Sequence, residues 1–179
     1  MGSKITTLSR FERLLLANQF KIMKALNAED KETCERNIEI LENGYTLDYE
    51  DPVFLNIFEE MPIDECKRVN HILAMASCIY RAYDRMSEEE IDSIGGLWKF
   101  LGFDGNNETN QMIYCEYIIE TENRFADLKQ EPNHDWDSHY PTRDAYDRML
   151  EVWEHFDTKQ QHNLSTEDLK AILDARMRK

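Results

Sequence analysis

Six glycines and four prolines are all the helix breakers that this 179-residue chain contains. Those two residues punctuate turns and end helices, so a chain poor in both has few places to reverse direction. Stretches rich in Leu, Glu, Lys and Met favour helix over strand. The scarcity predicts an all-α fold: a compact multi-helical bundle with no significant sheet. The length predicts one domain over residues 1–179, with room for two lobes.

Apolar residues recur at helical intervals. Leu8, Phe11, Leu15, Asn18, Ile22 and Ala25 alternate three- and four-residue steps, which predicts a helix from Thr7 to Leu26, capped by Thr6 or Thr7. Asn18 is the polar intruder in that seam, where a partnered amide can fix register. A second helix is expected over Asp30–Asn43 with Gly44 as its left-handed C-cap. Pro52 opens a short helix ending near Glu60, and a long helix follows over Ile63–Met86. The long helix carries its apolar face on Val69, Ile72, Leu73, Ala76, Ile79, Tyr80 and Tyr83. Ser87 with Glu90, and Ser165 with Asp168, read as capping boxes. Asn106 or Asn107 is expected to cap a helix reaching Leu128, and Thr142 to cap one through Phe156. Trp98, Phe100 and Phe103 read as core packed at a tight chain reversal, with a lined pocket as the alternative.

Charge narrows the function. With 36 acidic against 21 basic residues the formal net charge is −15. Such a surface repels phosphate backbones and anionic lipid heads, so general nucleic-acid and membrane binding are not expected. No apolar run approaches the ~18 residues of a membrane span. Arg10, Glu12 and Arg13 interrupt any signal-peptide pattern. Cys34, Cys66, Cys78 and Cys115 form no CxxC pair and read as free thiols in a reducing compartment, which points to the cytoplasm. Arg10, Arg13, Lys21 and Lys24 cluster on one side of the first helix, ready for an anionic partner or for the protein's own acidic surface.

Few residues suggest chemistry. His134, Asp135, Asp137 and His139 are candidate ligands for a divalent metal in the irregular stretch 130–141, although a polar loop anchored by Trp136 is the plainer reading. Glu131 and His134 share a Glu-x-x-His spacing that Pro132 keeps out of a helix. The stretch from Asp157 to Asp168 looks like a calcium loop. It has Lys159, Gln161 and His162 where oxygen ligands and a glycine belong, so helix–loop–helix is expected instead. Glu116 and Glu120 share a helix face, as catalytic carboxylates can and solvated ones commonly do. No dinucleotide, Walker, zincin or nucleophile-elbow pattern occurs, so no cofactor is expected. Whether the protein is an enzyme is left open.

Several short motifs run in order along the chain. They are Arg13-Leu14-Leu15-Leu16-Ala17-Asn18-Gln19-Phe20-Lys21, Ile40-Leu41-Glu42-Asn43-Gly44-Tyr45, Phe100-Leu101-Gly102-Phe103-Asp104, Glu122-Asn123-Arg124-Phe125 and Tyr146-Asp147-Arg148-Met149-Leu150-Glu151-Val152-Trp153. Together they resemble the YfbU-like family of small bacterial proteins. The resemblance implies a bacterial, cytoplasmic, mainly helical protein and carries over no catalytic residue. It singles out Asn18, Gln19, Glu122 and Arg124, polar residues within apolar stretches, as a candidate fold-specifying network or binding cluster.

The expected function is that of a homo-oligomeric helical interaction or regulatory protein, self-associating through the first helix and open to a protein partner. One alternative is a small-molecule or metal-dependent enzyme using the 130–141 loop. Another is an acidic protein that masks a basic partner surface.

Overall fold

The computed structural model describes residues 7–49, 60–129 and 135–177. Thr6, the helix opened by Pro52, and His134 lie outside the described residues. The fold is all-α and divides into two compact units, Met1–Glu60 and Met61–Lys179.

The first unit is a helical hairpin of α1 (Arg10–Leu26) and α2 (Lys31–Asn43), followed by a 3-10 turn at Thr46–Asp48. Ser9, rather than Thr6 or Thr7, caps α1. Its hydroxyl accepts the Glu12 N–H, and the Glu12 carboxylate accepts the Ser9 N–H. Asp30 caps α2, and Gly44 ends it in the left-handed conformation at φ +76°. The core joins Ala17, Ile40, Leu41 and Tyr49 to half-buried Leu8, Leu16 and Phe20.

That core departs from the expected seam. At 100° per residue, Leu16, Ala17 and Phe20 lie on the opposite side of α1 from Phe11, Leu15, Asn18 and Ile22. Helix α1 is apolar on two sides, and α2 takes the side the 3-4 spacing did not mark. Much of the basic stripe is engaged inside the unit: Lys21 pairs with Glu42 at 2.7 Å and Lys24 with Glu35 at 2.6 Å. Arg13 donates to the carbonyls of Leu41 and Glu42, where a cation complements the C-terminal end of α2. Its guanidinium lies where a β-carbon on Gly44 would sit, a second reason for glycine there.

The second unit is built on α3 (Ile63–Tyr83). Its Val69, Ile72, Leu73, Ala76, Ile79 and Tyr83 are buried as predicted, and Tyr80 is half-buried. Around it come α4 (Glu88–Ser93), α5 (Thr109–Glu116), a π-helical turn at Tyr117–Thr121 and a 3-10 turn at Ala126–Leu128. The chain ends in α6 (Arg143–Glu154), α7 (Thr158–His162) and α8 (Thr166–Ala175). Helix α3 packs against α5, α6, α7 and the 3-10 turn, and α6 packs against α8. Both predicted capping boxes form. In the stretch likened to a calcium loop, Asp157 caps α7 and Asp168 closes the box of α8 while accepting from Gln160.

Between α4 and α5 the chain runs extended. Three of its N–H groups are met by phenols: Trp98 N–H donates to Tyr83, Phe100 N–H to Tyr80 and Leu101 N–H to Tyr146, while Phe103 N–H donates to the Trp136 carbonyl in an isolated parallel bridge. Trp98, Phe100, Phe103, Trp136 and Tyr146 form one aromatic cluster, so core packing holds here as expected. Gly102, at φ +82°, lets the chain pass against the Trp136 carbonyl.

Two expected caps are corrected. The helix predicted from Asn106 or Asn107 to Leu128 is α5 alone, then the π turn, then left-handed residues at Asn123 (φ 52°) and Phe125 (φ 53°). Asp104 organises its entry by accepting from the Asn106 N–H and the Asn107 amide. Thr142 sits at the N-cap position of α6, but its hydroxyl donates to the Gly102 carbonyl at 2.9 Å. The cap comes from Glu108, whose carboxylate accepts the N–H groups of Thr142 and Arg143.

Candidate functional site

Three places hold the residues that the sequence marks for function. The first is the loop with Asp135, Asp137 and His139. Trp136 is fully buried in the aromatic cluster and anchors it. Asp137 is spent on the backbone, accepting from Gly105 N–H at 3.0 Å and His139 N–H at 2.7 Å. These bonds, Gly105 first, hold its carboxyl below the usual carboxylate range. Asp135 accepts the Asp137 N–H, and His139 Nδ1 lies 3.2 Å from the Asp137 carboxylate. The loop is stitched to the turn before α5, and among the described residues no group of three or more His, Cys, Asp or Glu is placed to hold a metal ion. Glu120 accepts from Trp136 Nε1 and pairs with Lys129 at 2.8 Å, while Glu116 stays exposed.

The second place is the polar cluster. Its members fall in both units: Asn18 and Gln19 are exposed on α1, and Glu122 and Arg124 follow the π turn. Glu122 accepts from the Tyr117 hydroxyl at 2.7 Å. Arg124 donates to Asn70 Oδ1 at 2.8 Å, and its guanidinium carbon sits 5.2 Å from the centre of the Phe125 ring. The widened turn makes this possible. The Glu122 N–H reaches back to Tyr117, and the left-handed residues on either side of Arg124 turn it toward α3.

Asn70 is the residue the sequence did not mark. Its amide nitrogen donates to the Cys66 carbonyl at 2.9 Å and to the Tyr114 hydroxyl at 3.0 Å. A carbonyl only accepts and a guanidinium only donates, so the amide has one satisfied orientation, with oxygen toward Arg124. The Tyr114 oxygen is thereby an acceptor, which leaves its own hydrogen to donate elsewhere. Tyr114 stacks on Tyr117 with ring centres 6.3 Å apart. Asn70 on the polar face of α3 resembles any surface amide, so only its partners from later in the chain reveal it.

The third place is the outer side of α1. Phe11 is 67 % exposed, Leu14 55 %, Leu15 51 %, Ile22 54 % and Leu26 71 %. Asn18 sits among them with no side-chain hydrogen bond among the described residues. These positions keep a 3-4 spacing, the pattern of a helix that packs lengthwise against another. Of the nearby cations, Lys21 and Lys24 are paired with acids of α2.

Comparison with known proteins covers nearly the whole chain. A UPF0304 protein of Methanocaldococcus jannaschii is 34 % identical over 171 residues, spanning 94 % of this chain and 99 % of the relative. A UPF0304 protein of Actinobacillus succinogenes is 28 % identical over 164 residues, spanning 92 % and 96 %. The family description "YfbU domain" matches residues 6–175, running through both units, the α1 strip and the Arg124 cluster alike. The chain belongs to the YfbU family.

Proposed function

We propose that this protein is a cytoplasmic homo-oligomer that serves as an interaction or regulatory module, and that it assembles through the outer side of α1. The exposure of Phe11, Leu14, Leu15, Ile22 and Leu26 on one side of one helix carries the reading. Exposed apolar residues scattered singly are ordinary, whereas a contiguous strip marks a contact surface. Three features favour a second copy as its occupant. The 3-4 spacing suits pairing with a like helix, the strip is about 22 Å long at 1.5 Å per residue, and the adjacent lysines are already paired. Asn18 lies mid-strip, where a polar residue selects register and oligomer state at some cost in stability. No helix among the described residues is long and apolar enough to cross a membrane, so a bilayer-spanning role for α1 has no support. The test is subunit number by native mass spectrometry across a concentration series, with Leu15→Asp as the variant. Assembly in the wild type and its loss in the variant are the expected results.

A further inference from the structure

We propose that Arg124, Tyr114 and Asn70 form a binding subsite for a monovalent carboxylate carried on an apolar or aromatic body. It is independent of the assembly through α1. In a chain with 36 acidic and 21 basic residues, carboxylate partners for an arginine are abundant. Other arginines use them: Arg68 pairs with Asp147, Arg81 with Asp127, and Arg143 with Glu65. Arg124 pairs with no carboxylate among the described residues. It is held by a neutral amide oxygen and an aromatic face, which orient the guanidinium without neutralising it. The nearest acid in sequence, Glu122, accepts from Tyr117.

The bond to Asn70 occupies one of the five N–H donors of Arg124, so a two-pronged edge stays available. The Tyr114 hydroxyl, made an acceptor by Asn70, has its hydrogen free for the same ligand. Asn70 thus holds two unspent donors on either side of a single amide. A planar carboxylate matches the guanidinium fork. The net charge of −15 disfavours a dianion more than a monoanion, which sets a carboxylate above phosphate. The stacked Tyr114 and Tyr117 rings, with Ile113 45 % and Tyr117 46 % exposed, offer apolar surface for the ligand's body. The backbone is strained here too: Phe125, a bulky residue, is held left-handed at φ 53°, a conformation found at functional positions.

The test is a side-chain NMR titration of the full chain with benzoate, acetate and inorganic phosphate, following the Arg124 guanidinium and the Tyr114 ring. Benzoate should give saturable shifts at both and bind more tightly than acetate or phosphate. Arg124→Gln should raise the benzoate Kd at least about tenfold, the loss of a charge-assisted pair. Asn70→Asp should do the same by neutralising Arg124 in place, which a purely structural role would not produce with circular dichroism unchanged. Tyr114→Phe should raise Kd about threefold to tenfold. No saturable shift with benzoate, tighter binding of phosphate, or undiminished binding by folded Arg124→Gln would overturn the assignment.

Discussion

The carboxylate of Glu108 accepts the backbone N–H groups of Thr142 and Arg143, residues 34 and 35 positions further along the chain. It therefore caps α6 from the threshold of α5, and it accepts the Asp104 N–H as well. Glu108 is 6 % exposed, so no water replaces it readily. Removing the carboxylate strands two buried donors, on Asp104 and Thr142, and the half-buried one on Arg143. Glu108→Ala should lose about 3 kcal/mol of stability, the scale of a lost cap plus unsatisfied donors. Glu108→Gln keeps one acceptor oxygen and should lose about 1 kcal/mol. Urea denaturation at neutral pH checks both, and near-wild-type midpoints for the pair would remove Glu108 as the cap.

Gly102 and Gly95 both have positive φ, at +82° and +90°, but a β-carbon on Gly102 would collide with the Trp136 carbonyl while one on Gly95 meets open space. Gly95→Ala should cost about 1 kcal/mol, the conformational penalty alone. Gly102→Ala should cost more than about 3 kcal/mol, because backbone must move against the aromatic cluster. Thermal melts of the two variants compared side by side test the contrast.

Helices, most of their caps and the aromatic core were readable because they depend on local spacing. Ser165 and Asp168 announce a capping box within four residues, and Val69 to Tyr83 announce a buried face within four turns. What escaped depends on long-range partners. Thr142 is a good N-cap residue by type, yet Glu108 does the capping because the Gly102 carbonyl takes the threonine hydroxyl. The α1 seam followed the stronger period, but α2 packs on Leu16, Ala17 and Phe20 because Ile40 and Leu41 meet them there. Of the candidate polar residues, Glu122 and Arg124 were visible as charges in an apolar stretch. Their neighbours Asn70 and Tyr114 come from two other helices, and nothing in their local spacing distinguishes them.

Tyr146 should be the most sensitive of the phenols that hold the extended segment. Tyr146→Phe leaves the Leu101 N–H without its partner and should cost about 1–3 kcal/mol, with faster hydrogen exchange at that amide. Burial pushes the hydroxyls of Tyr80, Tyr83 and Tyr146 above the ordinary tyrosine range. A raised folded-state value means that the folded protein keeps these protons longer than the unfolded chain. The stabilisation is therefore complete below about pH 10, the unfolded value, and is lost as pH rises beyond it. Ultraviolet titration should show these phenols ionising only together with unfolding.

Asp137 sets the opposite limb. The N–H groups of Gly105 and His139 lower its folded-state value, so its contribution is present above about pH 4, the unfolded carboxylate value. It is lost as pH falls through the lowered folded value. Asp137→Asn should flatten the acid limb of the stability curve below about pH 4 while leaving the neutral-pH slope alone. Denaturant midpoints at a series of pH values, wild type against variant, measure this, and parallel curves would contradict it.

Self-association through α1 is tested most directly by measuring subunit number over concentration for the wild type and for Leu15→Asp. Leu15 is 51 % exposed in the single chain, so the substitution should leave the thermal melt of the subunit nearly unchanged. Burying an unpaired charge in an interface costs several kcal/mol, on the order of 3–5 when no partner is present. The account predicts a concentration-dependent oligomer for the wild type and a folded monomer for the variant. A wild type that stays monomeric throughout, or a variant that assembles as well as the wild type, would contradict it.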